Sequence, residues 1–335
     1  MNWKKLHRAG VAGLIACAAL WSATAAAADR SGDFDRLVVF GDSLSDPGNA
    51  FELIRTVSVP PFEDLIPSAP YARGGLHFSN GETWVEQLAS DLNAKRSSGP
   101  AFRKPLVFSN YAVGGARAGP TGAFTLSEQV EFFLIDSNYK APPDALYVVF
   151  VGGNDIRDAL GALELDPTTA TSLGIIAAAV NAIRQNLIIL HAAGARTFLV
   201  LNVPDIGRAP AVRLQGEGVQ GVATLFSLKF NKQLDEQLGM LALDPTPKII
   251  RLDVFGIINK VVDDPGSEGL TEVERPCITL GTQISPFCAK PDDFLFWDGI
   301  HPTRAGHGIL ARRAGTELGM NDFNVRLKAA RGAAK

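Results

Sequence analysis

The chain has 335 residues, 46% of them hydrophobic and 20% charged, enough for one large or two modest globular domains. Its formal net charge is −3 and its basic residues are scattered, which excludes the dense positive face of a nucleic-acid binder. The histidines lack metal-ligand spacing, so neither a metal nor a cofactor is expected.

The first residues read as a targeting segment. Lys4, Lys5 and Arg8 form a basic n-region, Val11 to Leu20 a short apolar core, and Ala26-Ala27-Ala28 a small-residue cleavage pattern. This is the pattern of a secretory signal over residues 1–28, too short and too rich in small residues for a transmembrane anchor. A second reading rests on Leu14-Ile15-Ala16-Cys17, similar to a bacterial lipoprotein box, which would make Cys17 a lipidated first residue. The apolar stretch runs past Cys17 to Trp21, as an uncleaved h-region does, and this ranks lipidation second. Removing residues 1–28 leaves 29 basic against 35 acidic residues, a net charge of −6. It also leaves Cys277 and Cys288 as a pair in a secreted or periplasmic protein, where a disulfide is expected. Residues 29–325 are expected to form a single domain, with 326–335 a frayed tail.

The mature chain opens on its most informative stretch. Leu37-Val38-Val39-Phe40 is a run suited to a strand buried on both faces, and it ends in the polar turn Gly41-Asp42-Ser43-Leu44. Thr56 to Gly75 carries prolines at 60, 61, 67 and 70 and reads as a long surface loop. Ser79 with Glu82 has capping-box spacing before a helix marked by Trp84, Leu88 and Leu92. Leu106 to Val113 reads as a second strand, broken by Gly114-Gly115, and a helix is expected over Leu126 to Ser137. Ala145 to Val151 is the clearest buried strand and runs into Gly152-Gly153-Asn154-Asp155. A long helix over Thr168 to Ala192 stops at Gly194, and strand Thr197 to Val203 closes in Pro204-Asp205-Ile206-Gly207. A helix from Val219 to Leu241, a strand from Lys248 to Val254, an irregular region from Asp263 to Asp293 and a helix after Pro302 complete the chain. Strands alternating with helices imply an α/β fold, a three-layer α/β/α sandwich of about five parallel strands.

In such a sheet the strand ends face one edge, so Ser43, Gly114-Gly115 and Asn154 converge there. Asp298 and His301 stand three apart in a turn bounded by Gly299 and Pro302, a spacing that lets the carboxylate reach one imidazole nitrogen while the other points outward. A serine hydroxyl needs a base to take its proton, and His301 oriented by Asp298 can serve. The oxyanion that forms needs donors, and the N–H of Ser43, the N–H of Gly115 and the Asn154 amide can supply them. His307 is read as structural or solvent-facing, and His77 and His191 have no partner the sequence reveals. Phe294, Phe296 and Trp297 read as packing that positions the histidine loop. The Gly-x-Ser-x-Gly elbow of α/β-hydrolases is absent.

Four ordered blocks, Gly41-Asp42-Ser43-Leu44, Asn110 through Gly115, Gly152-Gly153-Asn154-Asp155 and Asp298-Gly299-Ile300-His301-Pro302, resemble those of the GDSL/SGNH hydrolase superfamily of lipases and esterases. Phe78-Ser79-Asn80-Gly81, Asn202 through Gly207 and Phe296-Trp297-Asp298 are similar to its plant-type and bacterial secreted-esterase branch. The resemblance implies a flavodoxin-like SGNH fold and a secreted carboxylic ester hydrolase working through an acyl-enzyme. Ser43, Gly115, Asn154 and His301 would be its signature residues, with Asp298 completing the triad. Gly115 is preferred to Gly114 because it lies five after Asn110. The implied partner is a small-molecule or lipid ester, with transient contact to a lipid surface. Two alternatives are a carbohydrate O-deacetylase using the same site and a non-catalytic secreted binding protein.

Overall fold

The computed structural model describes residues 34–54, 76–242, 247–278 and 287–320. The expected signal segment, the proline-rich loop from Thr56 to Gly75 and the terminal tail lie outside them.

Strand β1 (Leu37–Gly41) is followed by α1 (Asn49–Ile54), α2 (Trp84–Asp91) and α3 (Leu126–Asp136). Then come β2 (Leu146–Phe150), α4 (Gly153–Ala162), α5 (Ala170–Ala193) and β3 (Thr197–Leu201). The short α6 (Pro210–Arg213) and long α7 (Glu217–Leu241) lead to β4 (Lys248–Leu252) and α8 (Val254–Asp263). Strands β5 (Glu272–Pro276) and β6 (Phe294–Phe296) and helix α9 (Arg304–Glu317) follow.

Strands β1 to β4 form a parallel four-stranded sheet in sequential order. Alternate side chains of each strand serve opposite cores, which is why the runs are apolar without interruption. Val38, Phe40, Tyr147, Val149, Phe198 and Val200 pack with α3, α4, α5 and α7. Leu37, Val39, Leu146, Val148, Leu199 and Leu201 pack on the other face with α2, α8 and α9. The result is the expected three-layer α/β/α arrangement. Only β4 departs from the apolar pattern: Lys248 and Arg251 are exposed on this edge, as suits a strand with one open side.

Three local expectations are corrected. Leu106 to Val113 is not a strand but an irregular segment beside β1. The Val39 N–H donates to the Ser109 carbonyl (3.0 Å), and the Tyr111 N–H donates to the Val39 carbonyl (2.8 Å). Both polar groups of Val39 point to one side, so the segment lies on the edge of β1 away from β2. Leu106 has φ of 64° and Pro105 and Phe108 bridge each other, which curls the chain out of a ladder at the start of the run. The second correction concerns the capping box of α2, which is Thr83 with Glu86 rather than Ser79 with Glu82. Glu86 Oε2 accepts from the Thr83 N–H at 2.9 Å, while Glu82 is drawn outward to Lys95. Finally, the region from Asp263 to Asp293 is not wholly irregular: β5 lies in it and pairs in parallel with β6. The alternating charges of Glu272, Glu274 and Arg275 disguise that strand.

The chain thus leaves β1, passes to the irregular segment on one side and returns to β2 on the other. This reversal makes the carboxyl end of β1 a topological switch point, where open α/β sheets bind their ligands.

Candidate active site

Gly41 of β1 stands in register with Phe150 of β2, so the turns that follow the two strands begin side by side. Ser43 lies in the first of them, two residues past the strand. Its turn is closed by the Asp42 carbonyl, which accepts from the Ser45 N–H at 3.0 Å, and by Asp42 Oδ1, which accepts from the Leu44 N–H at 3.0 Å. Gln129 of α3 braces the strand end in both senses: its Oε1 accepts from the Gly41 N–H and its Nε2 donates to the Gly41 carbonyl, each at 2.8 Å.

The histidine arrives from the other end of the chain. After β6, Trp297 and His301 close a tight loop through the Trp297 N–H and the His301 carbonyl (2.7 Å). Inside it, Asp298 Oδ1 accepts from the N–H groups of Ile300 (2.8 Å) and His301 (2.7 Å). Its Oδ2 lies 2.7 Å from His301 Nδ1, and His301 Nε2 lies 2.8 Å from Ser43 Oγ. With the carboxylate as acceptor, Nδ1 carries the proton and Nε2 is the free base facing the hydroxyl. Ser43, Asp298 and His301 are all buried. The line from carboxylate to hydroxyl is unbroken, so the geometry can take a proton from Ser43 and hold the resulting imidazolium against a negative charge.

The block Phe78 to Gly81 clasps the histidine loop. Ser79 Oγ donates to the Pro302 carbonyl at 2.9 Å, Asn80 Oδ1 accepts from the Arg304 N–H at 2.6 Å, and the Phe78 ring lies 5.3 Å from the His301 ring. The same phenyl ring explains Gly114, where a Cβ would come within 2.0 Å of Phe78 Cζ.

The three expected donors stand in different settings. No hydrogen bond occupies the Ser43 N–H or the Gly115 N–H among the described residues, whereas the Gly114 N–H is taken by Asp46 Oδ2 at 2.7 Å. Gly115 has φ of +82°, in the region that disfavours side chains, and the space beside its Cα is empty. Its carbonyl accepts from Arg117 Nη1 at 2.7 Å, and Arg117 is held by Asp158 through two further bonds. Asn154, at the start of α4, donates one amide hydrogen to the Ala116 carbonyl at 2.9 Å and keeps the other. Asp155 accepts from the N–H groups of Ala118 and Gly119, each at 2.8 Å, tying this block to the Gly115 loop. Ser43, Asn154 and His301 line one cavity of about 620 Å³; Gly115 stands outside its lining.

Two buried carboxyls beside the serine were not foreseen. Burial pushes Asp42 up to about 7, against the opposing pull of the Leu44 N–H and of His301. Asp46 is pushed up to about 6 by the same cause, though the N–H groups of Gly48, Asn49, Ala50 and Gly114 all donate to it. Below neutral pH Asp42 is therefore largely uncharged, which spares the site a second anion next to Ser43. The run Asp46-Pro47-Gly48-Asn49 was the available signal for Asp46, since a side chain there can accept from N–H groups two to four residues on.

The other histidines are placed as follows. His77 pairs with Glu86 at 2.8 Å, His191 Nδ1 meets the Ala195 carbonyl at 2.9 Å, and His307 is wholly buried in α9. Cys277 and Cys288 are joined by a disulfide. No group of three or more His, Cys, Asp or Glu side chains able to hold a metal occurs among the described residues.

This arrangement coincides with a sequence match. The profile of the GDSL-like lipase/acylhydrolase family matches residues 37–314, from the first residue of β1 into α9. The chain belongs to that family. Its chemistry is accordingly that of a carboxylic ester hydrolase. Among curated relatives, a phosphatidylcholine-sterol acyltransferase of Aeromonas hydrophila is 27% identical, covering 88% of this chain and 92% of its own. A GDSL esterase/lipase of Arabidopsis thaliana is 26% identical over 82% of this chain and 86% of its own. Among solved structures, a catalytic mutant of an acetylxylan esterase from Geobacillus stearothermophilus aligns with 85% of this chain and 94% of its own, at 16% identity and a TM-score of 0.45. That likeness is too distant to bear on substrate.

Proposed function

We propose that this GDSL-family chain hydrolyses carboxylic esters through an acyl-enzyme on Ser43. The observation that carries the proposal is the continuous line Asp298 Oδ2, His301 Nδ1, His301 Nε2, Ser43 Oγ, with contacts of 2.7 and 2.8 Å at its two joints. Ser43 Oγ attacks the ester carbonyl carbon as its proton passes to His301 Nε2. The carbonyl oxygen takes up the negative charge and accepts from the N–H of Ser43, the N–H of Gly115 and the Asn154 amide. Collapse breaks the bond to the alcohol oxygen, which leaves with the proton from His301. Water then attacks the acyl carbon, gives its proton to His301, and the carboxylic acid departs as that proton returns to Ser43.

The apolar lining of the cavity favours an alkyl ester over the acetylated sugar of the deacetylase reading. A transient lipid-surface contact is supported by Leu165 and Leu214, which are 93% and 87% exposed and adjoin the cavity-lining residues Glu164 and Gln215. Export is supported by the n-region, apolar core and Ala26-Ala27-Ala28 pattern of the sequence together with the Cys277–Cys288 disulfide. The test is hydrolysis of p-nitrophenyl esters from acetate to palmitate by wild type and by Ser43→Ala. Turnover that disappears in the folded variant supports the mechanism, and equal turnover in both refutes it.

A further inference from the structure

The cavity beside Ser43 is larger than ester cleavage requires. A water-sized group occupies roughly 30 Å³, so an acetyl methyl would leave nearly all of its approximately 620 Å³ unfilled. Ser43, Asn154 and His301 share the lining with Leu160, Ile206, Val212, Val219, Val222 and Ile300, drawn from α4, the turn after β3, α6, α7 and the histidine loop. Asp205, an acidic residue on this lining, is turned to internal use: its Oδ1 accepts from Thr224 Oγ1 at 2.7 Å and from the Gly207 N–H at 3.1 Å.

Two glycines on the border of this cavity have no backbone reason to be glycine. Gly161 lies in α4 and Gly218 in the first turn of α7, both without the positive φ that would exclude a side chain. Both are exposed, both line the cavity, and a Cβ added to either would meet no atom within 4 Å. Glycine is a poor helix former, second only to proline, so neither position is explained by helix stability. What glycine provides at both is open space beside the cavity lining. We propose that Gly161 and Gly218 set acyl-chain specificity by keeping the entrance of an acyl slot clear, which directs the enzyme to esters of medium and long aliphatic acids. The inference rests on the serine-esterase reading for the position of the ester group, and on the cavity walls for everything beyond it.

Each methylene moved from water into such a slot raises kcat/KM by roughly fourfold. In wild type, kcat/KM is therefore expected to climb from p-nitrophenyl acetate to p-nitrophenyl octanoate. Gly161→Phe and Gly218→Phe each place a ring in the entrance. If that excludes two or three methylenes, the octanoate-to-acetate ratio falls about 15- to 60-fold, while acetate turnover stays above the Ser43→Ala background. An unchanged ratio in both folded variants overturns the proposal, as does a wild type that prefers acetate. A second readout separates this inference from the catalytic one. Dansylaminoundecanoic acid is expected to bind Ser43→Ala with a rise in fluorescence, and to lose that binding when Gly161→Phe or Gly218→Phe is added. Binding of this kind upholds the slot even if Ser43 proves not to be the nucleophile. Absence of binding to Ser43→Ala, beside normal turnover in wild type, refutes the slot and leaves the mechanism standing.

Discussion

Replacing His307 by leucine should flatten the acid limb of the stability profile. His307 is wholly buried in α9, and neither ring nitrogen has a hydrogen-bond partner among the described residues. Burial pushes its pKa down to about 3, and the neighbouring His301 and His77 push the same way. An unfolded chain protonates this group near 6.5, so between pH 6.5 and 3 the unfolded state holds one more proton than the native state. Stability must then fall as pH falls through that window. At pH 4 the gap is roughly 2.5 pH units, worth about 3 kcal/mol. Asp42 and Asp46 act in the opposite direction, because their raised values let the native state hold extra protons below about 7 and about 6. Those contributions cancel in the difference between wild type and His307→Leu. Urea unfolding of both proteins at pH 7, 5.5 and 4 reads that difference directly. The variant should also gain on the order of 1 kcal/mol at pH 7 by removing unpaired buried nitrogens. Parallel curves would refute the reasoning, because a histidine with water access or a hidden partner would titrate alike in both states.

Three further outcomes follow from the site. Asp298→Ala should lower kcat by up to about 10⁴-fold, the scale measured when the aspartate of a comparable triad is neutralised, and should leave more activity than His301→Ala; a rate near wild type would remove Asp298 from the triad. Gly115→Ala should cost about 1–2 kcal/mol in the left-handed backbone at that position. If the peptide relaxes and turns its N–H away, kcat should fall roughly 10²–10³-fold, and an unaltered kcat would exclude that N–H as a donor to the oxyanion. Paired Leu165→Ser and Leu214→Ser substitutions should weaken sedimentation with phosphatidylcholine vesicles, while soluble p-nitrophenyl acetate is hydrolysed as before. Unchanged sedimentation would place lipid contact elsewhere.

The parts of this fold legible in the sequence are those whose physical cause is local or repetitive. β1, β2 and β3 are covered on both faces, so their apolar runs stand out, and the helices after them end at clear signals such as Gly194. The approach of Asp298 to His301 depends on a separation of three positions within one tight loop and could be read from that spacing. What was missed depends on partners distant in sequence. The segment from Leu106 to Val113 has strand composition, but the positive φ at Leu106 keeps its start out of the sheet. Ser79 looked like a helix cap because Glu82 follows at the right distance, yet its hydroxyl is committed to Pro302, 223 residues away. Phe78 against His301 and Asp46 against Gly114 are likewise long-range contacts. The Arg117–Asp158 pair that steadies Gly115 spans 41 residues and carries no spacing signal at all.

The most direct test of the central claim is covalent trapping with a p-nitrophenyl alkylphosphonate. Attack by Ser43 Oγ on phosphorus would expel one p-nitrophenolate and leave a phosphonyl ester on the enzyme. The account predicts one equivalent of p-nitrophenolate per chain, a matching mass increase on the peptide that contains Ser43, and neither signal in Ser43→Ala. A full equivalent of label on any other residue, or equal labelling of Ser43→Ala, would contradict it.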